Sequence, residues 1–140
     1  GATAERLPLN HGFKAVQIAV SAWTAEALKQ TLSASIFSRS TECHNQDKVS
    51  MGTIAARDAS RVIVLTEQVI AALCCASVQA IQLKALDASL AEVLAAFQAW
   101  ILQTFDYVVE DRPLQHELQQ LVDRFENLEL LNSERVHSIG

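Results

Sequence analysis

Helix breakers are nearly missing from this sequence. Its only glycines are Gly1, Gly12, Gly52 and Gly140, and its only prolines are Pro8 and Pro113. Between Gly52 and Pro113 no residue type forbids continuous helix. Alternating apolar and polar positions are missing too, so the pattern gives no half-buried strands and the class is all-α. Charge is scarce, at 19% of residues, below the roughly 25% usual for soluble domains. Just 11 basic residues face 16 acidic ones, for a net charge of −5. Phosphate contacts need clustered Lys and Arg, which speaks against a nucleic-acid partner. Cysteine is limited to Cys43, Cys74 and Cys75. An odd count with a vicinal pair is a poor disulfide framework and fits a reducing, cytoplasmic compartment. Long apolar runs are missing as well. The densest, Val69 to Leu83, is interrupted by Ser77, Gln79 and Gln82, and a membrane span needs roughly 20 apolar residues. Its expected place is a protein interior or an oligomer, with no membrane. No signal peptide is visible, and the start Gly1-Ala2-Thr3-Ala4 reads as a cut end.

What remains is a 140-residue chain that is 50% hydrophobic, expected to form a single helical domain over residues 1–140. Val16, Val20, Trp23, Ala27 and Leu28 follow a helical period and predict a first helix over 13–32. Residues 33–41 are rich in Ser and Thr and read as a loop. A long second helix is predicted from 45–47 to 83. Its later half is apolar on every side, the mark of a helix surrounded by protein. Asp87 or Ser89 is expected to cap a third helix, with Leu90, Leu94, Phe97, Ile101 and Thr104 as its buried stripe. Pro113 suits the first position of a fourth, with Leu114, Leu118, Leu121, Phe125 and Leu128 inward. The polar tail after Asn132 is expected to leave the helix.

The chemistry concentrates in Thr41-Glu42-Cys43-His44-Asn45-Gln46-Asp47-Lys48-Val49-Ser50-Met51-Gly52-Thr53-Ile54-Ala55-Ala56-Arg57. Carboxylates, amides, a histidine and a lysine give way abruptly to small and apolar residues. That is the pattern of a polar site at a helix N-terminus, where N–H groups lack partners. The ordinary alternatives are strong: Glu42 as a solvated loop carboxylate, Asn45 and Asp47 as caps. His44 has no second ligand at metal spacing, so no metal site is expected. Cys74 and Cys75 read as packing residues. Cys43 lacks a basic partner that would make it a nucleophile. Small residues at Gly52, Ala55, Ala56 and Ala59 allow a close approach by another backbone or a prosthetic group.

Taken with Leu9-Asn10-His11-Gly12-Phe13-Lys14 ahead of the first helix, this run resembles the aromatic amino acid lyase family, which comprises histidine, phenylalanine and tyrosine ammonia-lyases and the related aminomutases. The stretch Ser50 to Arg57 is similar to the histidine and bacterial branch. His44-Asn45-Gln46-Asp47, and the ungapped spacing from Lys14 to Glu42, are similar to the phenylalanine branch. The likeness is good over about residues 9 to 85 and loose elsewhere.

The resemblance implies a bundle of long, largely antiparallel helices forming the C-terminal part of a larger helical enzyme. It implies elimination of ammonia from an aromatic L-amino acid to give an arylacrylate. The electrophile of such enzymes is methylidene-imidazolone, made from an internal Ala-Ser-Gly, with a tyrosine as base. Their sites lie where subunits of a homotetramer meet. Glu42 matches a carboxylate beside the substrate amine, where a base makes chemical sense because attack needs a neutral amine. Lys14 matches a lysine near that carboxylate, and Asn45 a neighbouring amide. Gln46 matches a position that is glutamate in histidine-specific enzymes and glutamine in phenylalanine and tyrosine enzymes. Phenylalanine or tyrosine is therefore favoured over histidine.

The chain departs from the pattern decisively. It has no Ala-Ser-Gly: its Ala-Ser pairs are followed by Ile36, Arg61, Val78 and Leu90. Its only tyrosine, Tyr107, lies outside any matching motif. The expectation is one wall of an active site, inert alone, completed by the enzyme's own N-terminal part and by other subunits. An aminomutase fragment and a non-catalytic helical oligomerisation module are the alternatives.

Overall fold

The computed structural model describes residues 10–45, 50–85 and 92–137. The fold is all-α, with no strand among the described residues. Helix α1 spans Lys14–Lys29, α2 Gly52–Leu83, α3 Glu92–Ile101 and α4 Gln115–His137. Helices α1 and α2 form an antiparallel hairpin. Phe13, Val16 and Val20 share a small cavity with Val69, Leu73 and Ala76, while at the other end the Glu26 carboxylate accepts a 2.7 Å hydrogen bond from Arg61. That bond holds Glu26 below the usual carboxylate range.

One core serves the C-terminal half. Ala71, Cys75 and Val78 of α2 pack with Ile101, Phe105, Val108, Leu114, Leu121 and Val122. Phe105, Leu65, Ile101 and Leu121 are the largest side chains fully removed from water. Burial pushes the Cys75 thiol up to about 12, with Cys74 and Glu117 adding to the effect.

The segment between α3 and α4 has no regular structure, so its backbone groups need outside partners. Gln79 supplies them. Its Oε1 accepts the Val108 N–H at 2.8 Å and its Nε2 donates to the Val108 carbonyl at 3.4 Å. Both residues are buried. Arg112 pairs with Glu117 and donates to the Asp106 carbonyl at 2.7 Å, while Glu117 accepts the Asp106 N–H. Farther along, Phe97, Trp100 and Phe125 stack in series. The Arg124 guanidinium lies 4.1 Å over the Trp100 ring and bonds the end of α3.

Several expectations need correction. Helix α2 starts at Gly52, later than 45–47, with Ser50 and Met51 still outside the helix just ahead of it. It is not surrounded by protein within one chain: Ile63, Ile70 and Leu73 are 58%, 45% and 64% exposed. By length and composition α2 could cross a membrane, and 33% of its most apolar window is buried. In α3 the inward side is Gln98 and Ile101, running on to Phe105; Leu94 and Phe97 face outward because α3 meets α2 on one narrow edge. Pro113 precedes α4 instead of opening it: Leu114 accepts the first helical bond, from the Leu118 N–H. Helix α4 runs to His137, past Asn132. The expected caps Asp87 and Ser89 lie outside the described residues.

Replacing Gln79 with Leu keeps the volume but strands the buried N–H and C=O of Val108. The expected loss is roughly 1–3 kcal/mol, read as a lower urea midpoint with helical circular dichroism retained in water. Phe105→Ala, which opens a cavity in the same core, costs about 3–5 kcal/mol.

Candidate functional site

The residues matching the family motifs fall in two places. The first is the turn entering α1. Gly12 sits at φ +56, with nothing near the position of an added Cβ. Left-handed backbone is what glycine tolerates and other L residues resist. The turn leaves N–H groups without helical partners, and Asp111 takes them. Its Oδ2 accepts the His11 N–H at 2.7 Å and its Oδ1 the Gly12 N–H at 2.9 Å. His11 Nδ1 lies 3.4 Å from the same carboxylate. These backbone donors, His11 first, hold Asp111 below the usual carboxylate range. Lys14 follows as the first residue of α1, with its N–H bonded to the His11 carbonyl. Phe13 meets Phe105 edge to face, 6.3 Å between centroids. The turn ahead of Lys14 is thus set by an aspartate about a hundred residues away. No feature near Lys14 in the sequence signals that role for Asp111.

The second place is the 3-10 turn Glu42–His44. Cys43 at φ 52 and His44 at φ 55 are consecutive non-glycine residues in the left-handed region. Such backbone costs energy and persists where the surroundings hold it. His44 Nδ1 lies 3.0 Å from Ser40 Oγ, and the Asn45 N–H bonds the Glu42 carbonyl. Thr41, Glu42, Cys43 and Asn45 line an open hollow of about 490 Å³. Glu42 and Asn45 therefore border the same open surface hollow. Gln46, which was expected to complete it, lies outside the described residues, as does Asp47.

The structure does not bring Lys14 and Glu42 together. Lys14 opens α1 and Glu42 follows its other end; 16 residues at about 1.5 Å each put those ends roughly 24 Å apart. Ion pairs among the described residues are His11–Asp111, Arg61–Glu26 and Arg112–Glu117, and none joins Lys14 to Glu42. A further hollow of about 450 Å³ lies between α1, α2 and α4, bordered by Trp23, Gln68, Arg112 and Leu118. Among the described residues no cluster of His, Cys, Asp and Glu could hold a metal ion.

A long-helix fold with polar turns ahead of α1 and α2 defines a class, and sequence comparison names it. The family model described as aromatic amino acid lyase matches residues 2–101. The chain belongs to that family. It is 37% identical over 116 residues to a tyrosine ammonia-lyase of Cereibacter sphaeroides, covering 81% of this chain and 22% of that protein. A histidine ammonia-lyase of Bacillus subtilis is 29% identical over 115 residues, covering 82% and 22%. The tyrosine aminomutase of Streptomyces globisporus superposes with a TM-score of 0.77 at 28% identity, over 89% of this chain and 23% of that one. The chain thus spans about a fifth of the length of the relatives it matches.

Asp111→Ala is expected to loosen the turn before α1 and lower stability at neutral pH. The Asp111 pKa is lower folded than unfolded, so its contribution is complete above the unfolded value and fades as pH falls through the folded one. The stability gap between the native chain and the variant is therefore constant near neutrality. It closes as pH drops below about 3.8, the ordinary value. Urea melts across a pH series measure it; a gap that widens on acidification contradicts this role.

Proposed function

We propose that this chain forms one wall of the substrate pocket of an ammonia-lyase that converts an aromatic L-amino acid to an arylacrylate. Phenylalanine or tyrosine is preferred to histidine. The observation that carries this is the hollow shared by Glu42 and Asn45, in a chain of the aromatic amino acid lyase family. Glu42 acts as general base for the substrate ammonium, since the amine must be neutral to attack an electrophile. Asn45 and Gln46 position the substrate by neutral hydrogen bonding, and Gln46 suits an apolar ring better than an imidazole. Lys14 contributes to the pocket from the far end of α1. Its distance from Glu42 along this chain fits a site drawn from more than one subunit, so a homotetramer of the family type is part of the reading, as is cytoplasmic residence.

The family's electrophile is self-derived from Ala-Ser-Gly, which these 140 residues do not contain. With no precursor for that group among them, these residues do not form it. The chain's own contribution is to bind, orient and deprotonate. A second reading, an aminomutase wall, is favoured by the likeness to tyrosine aminomutase. Both share the elimination step and differ in whether ammonia returns at the β-carbon.

The 140-residue chain alone is expected to release no arylacrylate from phenylalanine, tyrosine or histidine. Grafted in place of the matching region of the Cereibacter sphaeroides tyrosine ammonia-lyase, it is expected to support turnover. There Glu42→Gln lowers kcat by roughly a hundredfold or more, and Gln46→Glu moves preference toward histidine. Absorbance of the arylacrylate, with chromatography for β-amino acid, reads both outcomes. An unchanged kcat in the Glu42→Gln graft sinks the pocket-wall assignment.

A further inference from the structure

The hollow between α1, α2 and α4 has a composition that neither the core nor the motif residues use. Its volume is about 450 Å³, within the range of small-molecule sites. The sequence of α1 makes room for it. Ala15, Ala19 and Trp23 follow one another at steps of four, so they share one side of that helix. Two alanines leave a slot between α1 and α4 that longer side chains would fill, and Trp23 borders one end. Val16, Leu114 and Leu118 give the slot an apolar lining. Leu114 belongs to the buried core, so that side of the lining is held in place by the fold.

The polar groups around the slot select the chemistry of an occupant. Arg112 is the one charged side chain bordering it among the described residues, and its charge is already matched. It pairs with Glu117 and donates to the Asp106 carbonyl. An anion gains little from a guanidinium so occupied. The other polar side chains are three neutral carboxamides: Gln68 of α2, and Gln115 and Gln119 one turn apart on α4. Gln119 donates its Nε2 to Asp123 Oδ1 at 2.9 Å, which leaves its Oε1 as an acceptor. Gln68 and Gln115 have no side-chain partner among the described residues, so each offers a donor and an acceptor together. A paired donor and acceptor is the edge with which a glutamine reads adenine. An indole beside aliphatic side chains suits the face of a flat ring. We propose that this hollow binds an uncharged, planar nitrogen heteroaromatic of nucleoside size, with its ring against Trp23 and its donor–acceptor edge on the carboxamides. The proposal does not rest on the catalytic reading, since none of the residues bordering this hollow borders the one at Glu42 and Asn45.

Titration of the ¹⁵N-labelled 140-residue chain with adenosine tests it by nuclear magnetic resonance. The chain has two tryptophans, Trp23 and Trp100, and each gives its own indole N–H signal. The Trp23 signal, assigned with Trp23→Phe, is expected to shift saturably. The signal of Trp100, which stacks with Phe97 and Phe125, stays in place and serves as the internal control. Ala19→Leu fills the slot and weakens binding by roughly tenfold or more, with helical circular dichroism retained. Gln68→Leu keeps the bulk and removes one donor–acceptor pair, weakening binding by roughly threefold to tenfold; it decides alone should Ala19→Leu fail to fold. Adenosine monophosphate binds no tighter than adenosine, and cinnamate, an aromatic anion without the paired edge, leaves both indole signals unmoved. No saturable shift of Trp23 at millimolar adenosine overturns the proposal. So does binding that either folded variant leaves intact. A monophosphate that binds tenfold tighter than the nucleoside, or cinnamate that binds as well, overturns the uncharged, edge-reading class of ligand.

Discussion

The buried amide of Gln79 is the contact on which the rest of the arrangement depends. It gives both backbone groups of Val108 a partner where no helix or sheet supplies one, and so fixes the irregular return between α3 and α4 against α2. From that anchor Phe105 reaches the core and Asp111 reaches the start of α1. Asp111 then holds the Gly12 turn, and the turn sets where Lys14 begins its helix. A polar side chain near the C-terminal end of an apolar helix thus transmits position to a motif about half the chain away. It does so without a disulfide or a metal among the described residues.

The hairpin of α1 and α2 is different in kind. It is tied by Glu26 and Arg61, half-exposed groups whose attraction water screens. Apolar packing between the two helices is incomplete, with cavities along their line of contact. The C-terminal half is a closed core, and the N-terminal half presents surface built to be covered. The residues matching the family motifs all belong to this less self-sufficient half.

The helical class and the two long N-terminal helices were legible because glycine and proline are scarce and the apolar period is regular. The buried stripe Leu114, Leu118 and Leu121 was legible for the same reason. Helix α3 was misread because a stripe of Leu94, Phe97 and Ile101 looks inward by period, yet which part finds a neighbour depends on packing that period does not encode. The start of α2 was misplaced because Ser50 and Met51 stay outside the helix, which neither residue type announces. Glu42 and Asn45 stand out as candidates through motif likeness, not through chemistry, since a loop carboxylate beside an amide is ordinary. Asp111 was invisible: its partners are backbone N–H groups, which carry no sequence signature. The all-round apolarity of α2 reads as a helix surrounded by protein, and within one chain Ile63, Ile70 and Leu73 stay exposed.

The three thiols differ in a way that bears on how the molecule reports on itself. Cys75 is buried, its thiol pushed up to about 12, and burial raises Cys74 as well. Both stay protonated at neutral pH, and a protonated thiol is a poor nucleophile. Cys43 is exposed, on the left-handed turn directly after Glu42. A thiol-directed dye or spin label at neutral pH therefore has one favoured attachment point, beside the Glu42 carboxylate. The protein carries a built-in handle for watching that turn, with the two core thiols kept silent by the packing that holds α2 in place.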